Sequence, residues 1–293
     1  MKIQDLYASV TAEVIKQLED GVPPWVRPWK DSKVHGLGSL PSNLLTGRLY
    51  SGSNVLLLWM VAAQRGYQHL QYCTYDQANA MGARVRKGEK ACHVIFTKRD
   101  VKTDENGEEK AYTLARAYSV FNLDQLENVP EDKLVPQVVE DDTPTNTRAV
   151  AIAKASGITF RHGGSCACYK PTLDIIEMPM LRDFESEDSY FGTLFHEITH
   201  ATGHRARLNR DLSGRFGDEK YAAEELVAEL GSAFTCARLG MQSTFRSASY
   251  IASWLKVLRK DNRAIFTASS YAGQAANWMW DAAFAEQVQE AAE

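Results

Sequence analysis

The residues best suited to do chemistry are His196, Glu197 and His200, in the run His196-Glu197-Ile198-Thr199-His200. On a helix, positions four apart lie on one face, so two imidazoles at that spacing can grip one metal ion. The carboxylate beside the first His is then close enough to take a proton from water polarised by the ion. Zinc is the expected ion, with manganese as the alternative. A catalytic zinc needs a third protein ligand and an open fourth position. The chemistry expected of such a set is metal-assisted hydrolysis of a peptide bond, with Glu197 as general base.

The motif must sit on a helix held by a core. Tyr190, Phe191, Leu194 and Phe195 precede it, so a helix over 190–202 can be buried around the two histidines. Where a third His six residues past His200 would stand, the chain has Ala206. His204 lies another turn along the axis, too far to share the ion. The third ligand is therefore expected from the next long helix, over 220–239, where Glu225 and Glu229 share a face. Glu229 is preferred. Gly231, Ser232 and Ala233 follow it and let a neighbouring helix approach closely, and a carboxylate buried there needs a cation. Glu225 is the alternative, and the Glu that does not ligate can hold a ligand His from behind. Cys166 and Cys168 lack the spacing of a zinc ribbon and read as strand cysteines. Tyr169 and Tyr271 could stabilise an oxyanion, although packing is the plainer role for both.

The chain has 293 residues, 44% hydrophobic and 24% charged, enough for two domains with real cores. No apolar run approaches the ~20 residues that span a bilayer, and the N-terminus has no secretory pattern. Five irregularly spaced cysteines suggest free thiols in a reducing compartment, so a cytoplasmic location is expected. Net charge is −4 but uneven. Residues 1–127 hold 16 Lys and Arg against 14 Asp and Glu, while the remainder holds 17 against 23. Any nucleic-acid partner belongs with the first part.

Periodicity predicts helices over 3–20, 54–63 and 74–81, the last with Thr74 as N-cap. Strands are expected over 93–97 and 112–121, with Asn106-Gly107 at a hairpin tip. A Pro-, Asp- and Glu-rich stretch over 128–147 reads as a linker. Beyond it come a helix over 148–156, strands over 158–162 and 172–178, the two helices of the motif region and a helical C-terminus. The fold class is α+β in both domains: 1–127, then the linker 128–147, then 148–293.

Single-stranded nucleic acid is held by aromatic platforms among cations. Trp25, Trp29 and Tyr50 lie among Arg27, Lys30 and Arg48, and Arg84, Arg86, Lys87 and Lys90 form a basic cluster. The plainer alternative is that the Trp residues staple a small core and the basic run is a solvated turn.

The first 127 residues resemble the N-terminal domain of ArdC-type antirestriction proteins, which TraC-type plasmid primases share. The resemblance rests on Gly21, Pro23, Pro24 and Trp25, on Pro28 and Trp29, and on Pro41 and Asn43. It continues through Thr46, Gly47, Arg48, Tyr50, Gly52 and Asn54, then Thr74, Tyr75, Gln77 and Ala78, and Val120 to Gln125. The second part is similar to that family's metallopeptidase domain in Tyr169, Pro171 and Asp174, in His196, Glu197, His200, Thr202, Gly203 and His204, and in Arg207 to Arg210 and Glu224 to Leu230. This resemblance implies single-stranded DNA binding by the first domain without strong sequence preference. It also implies a zincin-type second domain like the core of SprT/Spartan proteases, and protection of plasmid DNA from host restriction during conjugation. A protein substrate, DNA-bound or restriction-related, would follow; no membrane partner is expected. Two rival readings are a DNA-binding shield with a structural metal and a primase accessory protein.

Overall fold

A computed structural model of the chain describes residues 3–26, 40–103, 109–134, 145–215, 217–242 and 250–290. The expected hairpin tip at Asn106-Gly107, most of the linker, and Arg27, Trp29 and Lys30 lie outside these residues.

The first helix, α1 (Ile3–Glu19), buries Leu6, Val14 and Leu18 along one stripe, and Gly21 at φ 75 ends the turn that follows it. After β1 (Ser42–Asn43) comes α2 (Ser53–Arg65), whose run from Asn54 to Met60 is wholly buried. Such a helix is an interior element rather than a surface one. Then follow β2 (Gln71–Cys73), α3 (Tyr75–Ala80) and β3 (Arg84–Val85). Thr74 caps α3 in a reciprocal box with Gln77. The long hairpin β4 (Cys92–Thr103) and β5 (Glu109–Asn122) completes a sheet of order β1-β2-β5-β4, and β6 (Leu126–Glu127) pairs with β3.

A short helix, α4 (Glu131–Leu134), and then α5 (Thr145–Ala155) lead into a three-stranded sheet. Its strands are β7 (Thr159–His162), β8 (Cys168–Lys170) and β9 (Ile175–Met178), in the order β7-β9-β8, so β8 is an edge strand. Four helices follow: α6 (Glu187–Thr202), α7 (Glu219–Leu239), α8 (Ile251–Lys260) and α9 (Ala264–Glu290). Both halves are thus mixed helix and sheet. No helix among the described residues is long and apolar enough to cross a membrane.

The largest apolar cluster crosses the two halves. Val14, Trp25, Leu56 and Trp59 from the first part pack with Leu226, Leu230 and Phe234 of α7, Trp254 of α8 and Ala272 of α9. Trp25 meets Trp254 edge-on at 5.7 Å, and Trp59 meets Phe234 at 5.6 Å. A second cluster joins α5, the small sheet and α6 to Cys236 and Leu239 of α7 and Met279 of α9. Helix α7 therefore serves both cores, and almost every residue from Glu225 onward along it is buried. The two domains expected from the sequence share this long helix, which completes the apolar surface of each.

Candidate metal centre

Helix α6 begins at Ser186, whose hydroxyl accepts from the Ser189 N–H, and it runs with its motif face toward α7. The close approach depends on Gly231. A Cβ at that position would stand 2.6 Å from both Cγ2 and Oγ1 of Thr199, in the middle of the motif. Gly231→Ala gains about 1 kcal/mol of helix propensity but overpacks a rigid contact, typically at about 1–3 kcal/mol. The expected net result is a melting temperature lower by about 2–4 °C, read by calorimetry. Adding Thr199→Ala should recover much of it, because the two side chains compete for one space.

At this contact His196 and His200 bring their Nε2 atoms 3.2 Å apart. Glu225 reaches across from α7, with Oε2 3.5 Å from His196 Nε2 and Oε1 3.4 Å from His200 Nε2. One donor atom from each of the three residues lies within 4.8 Å of the others. Glu229, one turn further along α7, reaches Nδ1 of His196 at 3.8 Å. It is 4% exposed and sits behind the ring rather than among the Nε2 atoms. The sequence-based preference for Glu229 is therefore not what the geometry favours: α7 lies against α6 so that the earlier Glu of the pair faces the histidines.

The rest of the surround fixes these groups. Glu224 Oε1 lies 3.2 Å from His200 Nδ1, and Arg210 grips Glu224 through Nε and Nη2. Arg210 also donates to the carbonyl of Thr199 and to Thr202 Oγ1. Glu197, 8% exposed, accepts the backbone N–H of Tyr169 in β8 at 2.7 Å. That strand is held by a second set: the Tyr169 hydroxyl donates to Asp174, and Arg207 pairs with Asp174 and donates to the carbonyl of Ala201. Tyr169 thus anchors the strand through its hydroxyl and also lines the cavity in front of the histidines, whereas Tyr271 on α9 is not among the residues that line it. Tyr221 and Tyr250, whose hydroxyls are 3.1 Å apart, line it as well.

The electrostatics fit a cation. Burial alone would oppose ionisation of Glu224 and Glu225, yet hydrogen bonds from His200, with Arg210 on Glu224 and His196 on Glu225, hold both carboxyls below the usual range. Burial would likewise lower the His200 pKa, but the same two carboxylates push it up to about 10. Three glutamates (Glu224, Glu225 and Glu229) face two imidazoles and one Arg. A divalent ion balances that excess with a donor set of two imidazole nitrogens and a carboxylate. The cavity in front has a volume of about 420 Å³, and Cys168 and Tyr250 are among its lining residues. Cys168 lies in β8 on its wall, and Cys166 is exposed beyond the strand.

The residues expected to touch nucleic acid do not form one surface. Trp25 is 1% exposed and packs against Trp254, so it is a core residue; Tyr50 is 8% exposed, packs against Tyr72 and lines the same cavity as Arg48. Trp29 lies outside the described residues. Arg84, Arg86, Lys87 and Lys90 are exposed on the turn around β3. Arg86 is engaged there by Glu89 and by the carbonyls of Asp124 and Leu126. Arg48 is exposed and lines a separate cavity of about 790 Å³. Arg210 and Glu224 enter the sequence reading only as part of the family resemblance, and Tyr221 and Tyr250 are given no role there; their places at the site follow from contacts made by folding.

Two family models match the chain: the N-terminal domain of the anti-restriction factor ArdC over residues 4–121, and a zincin-like metallopeptidase over residues 147–271. The metal-free crystal structure of the antirestriction ArdC protein from the R388 plasmid aligns with a TM-score of 0.79 and 40% identity, covering 95% of this chain and 98% of that one. The Mn(II)-bound structure of the same protein aligns at 0.76 and 37% identity, with the same coverage. A Sinorhizobium fredii protein, y4eC, is 40% identical over 94% of this chain and 91% of its own length. A DNA primase TraC of Escherichia coli is 35% identical over 90% of this chain, which spans only 26% of the primase.

Proposed function

Because the chain belongs to the ArdC family of antirestriction proteins, we propose that it protects incoming plasmid DNA from host restriction by binding single-stranded DNA and cleaving a protein near it. The reading places it in the cytoplasm of a cell receiving DNA by conjugation. The observation that carries the catalytic part is the convergence of His196 Nε2, His200 Nε2 and the Glu225 carboxylate within 4.8 Å. These three would hold the ion. The Mn(II)-bound relative supports a divalent metal, and zinc remains the first choice for this donor set.

The ion would supply electrophilic polarisation of a peptide carbonyl and of water. The chain's own residues do the rest. Glu197 Oε2 is fixed by the Tyr169 N–H, which leaves Oε1 to take a proton from the attacking water and return it to the leaving nitrogen. Arg210 and Glu224 hold the His200 ring from its Nδ1 side. Edge strand β8 and Tyr250 wall the cavity in which a peptide would be held. DNA binding by the first part raises the local concentration of DNA-bound protein substrates.

Metal content measured by mass spectrometry tests the site. About one ion per chain is expected for a mononuclear catalytic centre; none, after zinc and manganese have each been supplied, removes the peptidase reading. Arg210→Met should weaken metal binding by roughly 10–100-fold, as loss of an outer partner does, in competition with a chromophoric chelator.

A further inference from the structure

A groove of about 790 Å³ with no part in the metal centre lies between the first part and α9. We infer that this groove binds single-stranded DNA and that α9, from the metallopeptidase half, supplies one of its walls. The inference rests on the DNA-binding reading above; it keeps Arg48 and Tyr50, which line the groove, and moves the contact surface away from Trp25 and the basic turn around β3.

Charge is the first argument. The groove is lined by Arg48 and Arg263, and no Asp or Glu is among the described residues that line it. That is unusual for a chain with 37 acidic residues and a net charge of −4, and it contrasts with the metal cavity, which has Glu197, Glu224 and Glu225 on its walls. Both arginines are exposed and available to phosphates.

Flat apolar surface is the second. Phe96 on the hairpin is 51% exposed, and Tyr271 on α9 is 42% exposed on the opposite wall. Phe96 packs edge-on with Tyr118 at 5.4 Å, and Tyr118 is itself 44% exposed. Arg116 is the register partner of Phe96, so this aromatic strip carries a cation as it leaves the groove. Exposed rings interleaved with guanidinium groups match a ligand that repeats a phosphate and a base face. A duplex hides its base faces, and an acidic peptide has no use for the rings.

The third argument is rigidity. A Cβ at Gly273 of α9 would lie 2.7 Å from the Gly52 nitrogen at the head of α2. The two backbones touch there, so the walls of the groove meet at a close-packed contact. The first part alone would present only half of the site.

The test uses the full chain and a fluorescent 20-nucleotide oligothymidylate, with anisotropy read over a salt series. Arg48→Ala with Arg263→Ala should weaken binding roughly tenfold and lower the slope of log K against log salt by about 1.4, two phosphate contacts' worth. Tyr271→Ala should weaken binding by roughly fivefold or more, and Tyr271→Phe should bind like wild type. Arg84→Ala, Lys87→Ala and Lys90→Ala combined should leave affinity within about twofold. Groove variants that bind like wild type, with the triple variant defective, would overturn the groove assignment alone. Poly-glutamate displacing the oligonucleotide as well as unlabelled oligothymidylate does would also overturn it, in favour of acidic protein. A wild-type chain that binds no oligonucleotide would sink the DNA-binding reading itself.

Discussion

Glu225→Ala is expected to purify without bound metal, while Glu229→Ala retains it. The reason is geometric: Glu225 alone places one carboxylate oxygen near each of the two Nε2 atoms, at 3.5 and 3.4 Å. Glu229 approaches His196 only at Nδ1, across the ring. Removing a direct donor should cost more than the roughly 10–100-fold seen for outer partners, so affinity should fall by more than about 100-fold. Removing Glu229 should stay within that outer-partner range. Mass-spectrometric metal content and a chelator competition separate the two outcomes. Metal lost from Glu229→Ala and kept by Glu225→Ala would reverse the assignment.

The second large effect is on Glu197. Glu197→Gln is nearly isosteric, and its amide oxygen can still accept the Tyr169 N–H that now meets Glu197 Oε2. Folding and metal content should therefore be unchanged. Glu197 has no place among the three donors that converge between α6 and α7, so its loss removes only a proton acceptor. Peptide cleavage should fall by at least the roughly 10²–10⁴-fold that general-base catalysis contributes. Protection of transferred DNA, scored as conjugation frequency into a restricting recipient, should fall to the level of a deletion if cleavage matters. Full protection by Glu197→Gln with metal bound would instead favour a DNA-binding shield with a structural ion.

The two histidines and Glu197 could be found in the sequence because their relation is local: an i, i+4 pair on one helix needs no tertiary information. The third donor could not. Glu225 and Glu229 are themselves four apart, so periodicity puts both on the inward face, and only the axial position of α7 against α6 separates them. That position is set where Gly231 meets Thr199, a contact between residues 32 positions apart. The small residues at 231–233 were correctly read as a site of close approach, but their effect is to draw the earlier carboxylate to the histidines. Trp25 shows the opposite failure. Its neighbours are cations and prolines, which suits a stacking platform as well as a core staple. What decides is Trp254, far along the chain and packed against it. The groove beside α9 was invisible for the same reason, since its two walls come from segments that share no sequence pattern. The helices, in contrast, follow from their own residues: the Thr74 cap and the apolar stripe of α1 place those elements without help.

The sharing of α7 between two cores bears on how the chain is made. Trp25, Leu56 and Trp59 leave the ribosome well before the helices that cover them, α7, α8 and α9. Roughly 200 residues separate α2 from α9, so at about 5–20 residues per second the apolar face of the first part waits roughly 10–40 s for its last cover. The amino-terminal portion therefore cannot reach its final burial as it emerges, and its packing is completed only once α9 has been made.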